Sequence, residues 1–110
     1  MFKLGIIGYS GEILSVGIFG GGYTSAVSNY TDKYTYATDT VAAGTVLGLA
    51  RRYLAAAGNS TVGIFGGGYT TAVSTYTDKY TYGTDTVAAG TVLGLARYGL
   101  AAASSSPGWA

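Results

Sequence analysis

One stretch of this chain occurs twice. Gly17-Ile18-Phe19-Gly20-Gly21-Gly22-Tyr23-Thr24 returns 46 residues later as Gly63-Ile64-Phe65-Gly66-Gly67-Gly68-Tyr69-Thr70. Aligning 17–57 with 63–103 leaves five differences: Ser25/Thr71, Asn29/Thr75, Ala37/Gly83, Arg52/Tyr98 and Tyr53/Gly99. A repeat of this length constrains the fold strongly. Each copy is one supersecondary unit, and neighbouring units must cover each other's apolar faces. The chain divides into an N-terminal strand segment (1–16), a first repeat (17–62), a second repeat (63–103) and a C-terminal tail (104–110). The tail, Ser104-Ser105-Ser106-Pro107-Gly108-Trp109-Ala110, reads as a loose terminus.

Within a unit, strand signals outweigh helix signals. The Ala- and Leu-rich stretch 41–57 is the best helix candidate, but Gly44 and Gly48 interrupt it, each costing a helix about 1 kcal/mol relative to Ala. Val62 to Phe65 is a short apolar run closed by three glycines, as a buried strand ending in a tight turn requires. Lys33-Tyr34-Thr35-Tyr36 alternates and is rich in strand formers. Thr38-Asp39-Thr40 predicts a turn in which Asp caps its own backbone. Thr40 to Thr45 and Tyr53 to Ala57 supply two more strands, the latter followed by a Gly58-Asn59 turn. Four short strands in 46 residues is the size of a propeller blade.

The order of these signals resembles the kelch repeat. A double glycine follows an apolar strand, then come a Tyr, a Thr-Asp turn, a strand, and an Arg before the next apolar strand. Gly20-Gly21, Tyr34, Thr38-Asp39-Thr40 and Arg51 stand at the family's characteristic positions, as do Gly66-Gly67, Tyr80, Thr84-Asp85-Thr86 and Arg97. The resemblance covers about residues 17–103. It departs where the family usually has Trp just after the turn: Val41 and Val87 stand there, and the Pro that often precedes the Arg is absent. The resemblance implies an all-β chain of kelch-like β-propeller blades, two four-stranded units per chain, acting as a binding scaffold.

Two blades cannot close a ring, and each end would expose an apolar sheet face. Closure therefore requires homo-oligomerisation, with three chains giving the six blades common in kelch propellers and four giving eight. In this arrangement residues 1–8 and an extra strand at 98–103 would staple neighbouring chains. The alternative is a β-rich filament or virion subunit that polymerises through exposed sheet edges.

The residue inventory points away from catalysis. The chain has no Cys and no His, which excludes thiol nucleophiles, disulfides, zinc fingers and imidazole acid–base work. Kelch-containing oxidases need metal ligands and a Tyr–Cys pair, which this composition does not supply. Of the five carboxylates, Asp32, Asp39, Asp78 and Asp85 are two repeated pairs rather than a converging acid–base set. Lys3 to Gly11 has Gly-x-x-Gly-x-x-Gly spacing without a following helix pattern, and Gly20-Gly21-Gly22 lacks the Lys of a phosphate loop. The sequence thus predicts a non-enzymatic protein without cofactor or metal. Arg51 and Arg97 are expected to bond turn carbonyls or a neighbouring blade's Asp.

Candidate binding residues are Tyr23 and Tyr30 with their copies Tyr69 and Tyr76. They fall in the loop after the glycines, among Thr, Ser and Asn, a composition suited to an adaptable surface for protein or glycan. A formal charge of +1 argues against a nucleic-acid partner. Residues 2–8 are apolar apart from Lys3, but Glu12 follows too soon for a signal peptide. Gly, Ser, Thr and Tyr interrupt every candidate transmembrane run. Asn29-Tyr30-Thr31 and Asn59-Ser60-Thr61 match the N-glycosylation pattern.

Overall fold

A computed structural model describes residues 15–105, and all their regular structure is β. The strands are β1 (Val16–Gly20), β2 (Thr31–Thr35), β3 (Thr40–Ala43), β4 (Ala55–Gly58), β5 (Val62–Gly66), β6 (Thr77–Thr81) and β7 (Thr86–Ala89). They form two antiparallel sheets, ordered β1-β2-β3 and β4-β5-β6-β7. Among the described residues no helix is long and apolar enough to cross a membrane.

The repeated sequence produces repeated register. Phe19 faces Asp32 across β1 and β2, and Phe65 faces Asp78 across β5 and β6. Tyr34 faces Val41, and Tyr80 faces Val87. A valine therefore stands across from each tyrosine. The glycine triplets end β1 and β5 because the backbone must enter the left-handed region there. Gly21 and Gly67 have φ of 76° and 71°. A Cβ on Gly21 would also stand 3.0 Å from the Arg51 carbonyl and 2.9 Å from a Leu54 methyl. Asp39 and Asp85 turn the β2–β3 and β6–β7 hairpins with φ of 55° and 53°, a conformation that Asp tolerates better than most residues.

The last strand of the first unit does not join the sheet of β1, β2 and β3. β4 instead pairs with β5, with Ala55 opposite Gly66 and Ala57 opposite Ile64, so the polypeptide of one unit completes the sheet of the next. The described part of the first sheet consequently has three strands where the sequence predicts four. The stretch before β1 lies outside the described residues, as do residues 1–8 of the expected staple. The other half of that staple, 98–103, forms no strand within the chain.

No helix forms over 41–57. After β3 the chain runs irregularly from Gly44 to Leu54 and lies against the second sheet. Its glycines are there for space. A Cβ on Gly44 would meet the Tyr80 hydroxyl at 2.7 Å, and one on Gly48 would meet Asp78 Oδ1 at 2.8 Å. The segment delivers Leu47 onto Phe65 and Tyr80, and among the described residues these three make up the buried hydrophobic core, with Ile18, Leu54, Tyr82 and Val87 packed around them. The core thus lies at the seam between the two units.

Candidate functional site

The seam owes its polar grip to Arg51. Its backbone is pinned to the first unit's loop: Arg51 N–H donates to Ser28 (3.2 Å) and its carbonyl accepts from Gly22 (2.9 Å). The side chain then crosses into the second sheet, where it is fully buried. Nε donates to the Gly67 carbonyl (2.6 Å), Nη2 to those of Phe65 (2.8 Å) and Tyr76 (3.4 Å), and Nη1 to that of Leu49 (2.7 Å) and to Asp78 Oδ2 (2.7 Å). Asp78 is also fully buried, and its Oδ1 accepts from Gly48 N–H at 2.9 Å. Both charges are thus paired and hydrogen-bonded, the condition on which a buried ion pair is tolerated. The sequence expected Arg51 to bond turn carbonyls or a neighbouring Asp, and it does both.

At the outer end of the seam, Lys33 of β2 meets Asp85 of the β6–β7 turn at 2.8 Å. Lys33 and the Tyr80 hydroxyl together hold the Asp85 carboxyl below its ordinary range. Burial, reinforced by the bond to Asp85, raises the Tyr80 phenol. The expected self-capping of these turn aspartates is replaced by a bond from the tyrosine five residues earlier, Tyr80 to Asp85 and Tyr34 to Asp39. The Thr45 hydroxyl donates to the Asp85 carbonyl, tying the irregular segment to the same turn.

A second cluster lies where the glycine loops meet. The Arg52 guanidinium stands 4.5 Å from the Tyr23 ring centroid, 4.9 Å from Tyr53 and 5.6 Å from Tyr69. Tyr98 packs on Tyr53 at 5.7 Å and edge-on to Tyr69 at 5.4 Å. Backbone bonds in both directions join Arg52 to Tyr69. Two of the five repeat differences, Arg52/Tyr98 and Tyr53/Gly99, fall here, so this cluster occurs once. Arg52, Tyr53 and Tyr98 were not picked out from sequence. Their divergence from their copies was the available signal.

The four candidate tyrosines divide into two kinds. Tyr23 and Tyr30 are exposed, Tyr23 beneath the Arg52 guanidinium. Tyr69 and Tyr76 are half-buried in the seam. Tyr69 pairs with Arg52, and the Tyr76 ring lies 5.5 Å from the Arg51 guanidinium. The structure does not gather the four into one patch.

What the seam joins is repeated at the chain's two ends without being joined there. Phe65 is 3% exposed, whereas its copy Phe19 is 68% exposed. Arg51 is buried, whereas Arg97 is exposed and, among the described residues, its guanidinium donates only to the Leu95 carbonyl, at 2.8 Å. No protein-family model matches this sequence, and no curated protein is significantly similar to it.

Proposed function

We propose that this protein is a non-enzymatic, self-assembling scaffold. Its two units act as kelch-like propeller blades that copies of the same chain complete to a closed ring, three chains supplying six blades. The contrast between Phe65 and Phe19 carries this reading. The same side chain on the same strand is core in one unit and solvated in the other. Burying a phenylalanine stabilises by about 1.5–3 kcal/mol. Covering Phe19 is therefore worth a sizeable fraction of a small domain's stability. The exposed Tyr23 and Tyr30 loops supply the surface through which such a ring would take a protein or glycan.

Native mass across a range of concentrations, by light scattering behind size exclusion, tests the reading. A sharp mass of three chains supports the six-bladed ring, and four chains would move the count to eight. A folded single chain at all concentrations refutes self-assembly. Open-ended growth with concentration refutes closure and replaces the ring with a filament, since a head-to-tail contact closes only if its rotation divides a full turn.

A further inference from the structure

The internal seam is a template for the contact between chains. Shifting it by one repeat length converts each first-unit participant into a residue near the C-terminal end of one chain. It converts each second-unit participant into a residue of another chain's first unit. Arg51 becomes Arg97 and Asp78 becomes Asp32; Leu47 becomes Leu93, facing Phe19 and Tyr34; Lys33 becomes Lys79 and Asp85 becomes Asp39. None of these positions is among the five at which the repeats differ.

The Arg97 side already has the seam's conformation, and the β1-β2-β3 register repeats that of β5-β6-β7. Arg97 repeats the local bonds of Arg51. Its N–H donates to Ser74, its carbonyl accepts from Gly68 and its Nη1 donates to Leu95, as Arg51 does with Ser28, Gly22 and Leu49. The glycines show where a neighbour fits. A Cβ on Gly20 would stand 3.0 Å from the Phe65 ring, but the nearest atoms to one on Gly66 belong to Thr77 and Leu93, none closer than 3.5 Å. A Cβ on Gly48 would strike Asp78, but one on Gly94 meets nothing within 4 Å. Gly66, Leu93, Arg97 and Leu100 line a largely apolar pocket of about 210 Å³. Apolar cavities of about 150 Å³ already accept a benzene ring.

We infer that chains dock head to tail in the register of the internal seam, Arg97 of one copy bonding Asp32 of the next while Phe19 of that next copy fills the Gly66–Leu93–Leu100 pocket. Lys79 then pairs with Asp39 of the next copy, as Lys33 pairs with Asp85. Ala101–Ala103, which repeats Ala55–Ala57, comes to lie beside β1 of that copy as β4 lies beside β5. The inference rests on the self-assembly reading and adds to it which residues meet.

Carbodiimide cross-linking of the full-length chain tests the register, because the reagent joins an amine to a carboxylate only where the two touch. Unlabelled and ¹⁵N-labelled chains are mixed, allowed to exchange, cross-linked and digested for mass spectrometry. The Lys33–Asp85 link should appear within single chains and serves as the internal control. The Lys79–Asp39 link should appear in mixed-isotope pairs. An oligomer that yields the control link but not Lys79–Asp39 overturns the register and leaves self-assembly standing. A chain that never associates overturns both. Two variants give a second readout. Arg97→Ala and Gly94→Ala alter groups with few contacts within the chain, so circular dichroism should be unchanged. Association should weaken at least about 100-fold for Arg97→Ala, as expected when a buried pair loses one partner, and about 5- to 150-fold for Gly94→Ala, as expected of a methyl group forced into a packed contact. Unchanged association in both variants overturns the inference.

Discussion

Replacing Arg51 and Arg97 by alanine, one at a time, makes the same chemical change in the same local sequence, Leu-Gly-Leu-Ala-Arg. The structure predicts very different costs. Arg51→Ala removes five hydrogen bonds and leaves the fully buried Asp78 carboxylate with the Gly48 N–H. Breaking a buried pair in this way costs about 3–5 kcal/mol. That is a third or more of the stability of a typical small domain, about 5–15 kcal/mol. Arg97→Ala removes one exposed bond to Leu95 and should stay within about 0.5 kcal/mol. Urea denaturation is the assay. With a slope of about 1–3 kcal/mol per molar, the Arg51→Ala midpoint should fall by one to several molar while that of Arg97→Ala holds. Association adds stability that depends on protomer concentration, so midpoints are compared at dilutions where the native mass is one chain. Equal midpoints for the two variants would refute the buried-pair account of the seam. Replacing both partners by apolar residues, Arg51→Met with Asp78→Leu, should recover much of the loss, because the pair fixes geometry more than it adds net stability.

Three further outcomes follow from the same contacts. Gly48→Ala forces a methyl group against Asp78 and the Tyr76 hydroxyl and should lower thermal stability by about 1–3 kcal/mol, whereas Gly94→Ala should melt like the parent at concentrations where the chain is single. Asp85 has its pKa depressed in the folded state, chiefly by Lys33. Its contribution is therefore present above the ordinary aspartate value of about 3.9 and is lost as pH falls through the folded value. Since the pair is partly exposed, this amounts to only about 0–1 kcal/mol, and the gap in urea midpoint between wild type and Asp85→Asn should close below about pH 4. Burial raises the Tyr80 and Tyr82 phenols. They favour folding below the ordinary tyrosine value of about 10 and cease to do so as pH rises through their folded values. Absorbance at phenolate wavelengths should show them ionising later than the exposed tyrosines in native protein, and together with them in urea.

Much of the strand pattern was legible because it is local. Alternation placed β2, the apolar run placed β5, and the triple glycines marked where both β1 and β5 end. The helix candidate over 41–57 failed for the reason visible in Gly44 and Gly48, although their contacts with Tyr80 and Asp78 are long-range and invisible to any window. Arg51 was legible as a hydrogen-bonding arginine, but its complete burial was not, since Arg97 follows the same Leu-Gly-Leu-Ala and is exposed. That shared stretch cannot report that one arginine reaches into a packed sheet and the other does not. The pairing of β4 with the following sheet escaped for the same reason: Ala55–Ala57 carries no side chain that distinguishes one partner strand from another. The Arg52–tyrosine cluster leaves no mark in what the repeats share, because Arg52/Tyr98 and Tyr53/Gly99 are places where they differ.

Of the five acceptors that hold Arg51, four are main-chain carbonyls, those of Leu49, Phe65, Gly67 and Tyr76. A carbonyl is present whatever side chain its residue bears. Drift at Leu49 or Tyr76 can change packing without removing a bond, and Asp78 is the sole acceptor that a point mutation can delete. The joint is therefore mutationally robust on one side and vulnerable at a single carboxylate. Two units that differ widely in their loops therefore remain compatible at the joint as long as one carries the arginine and the other that carboxylate.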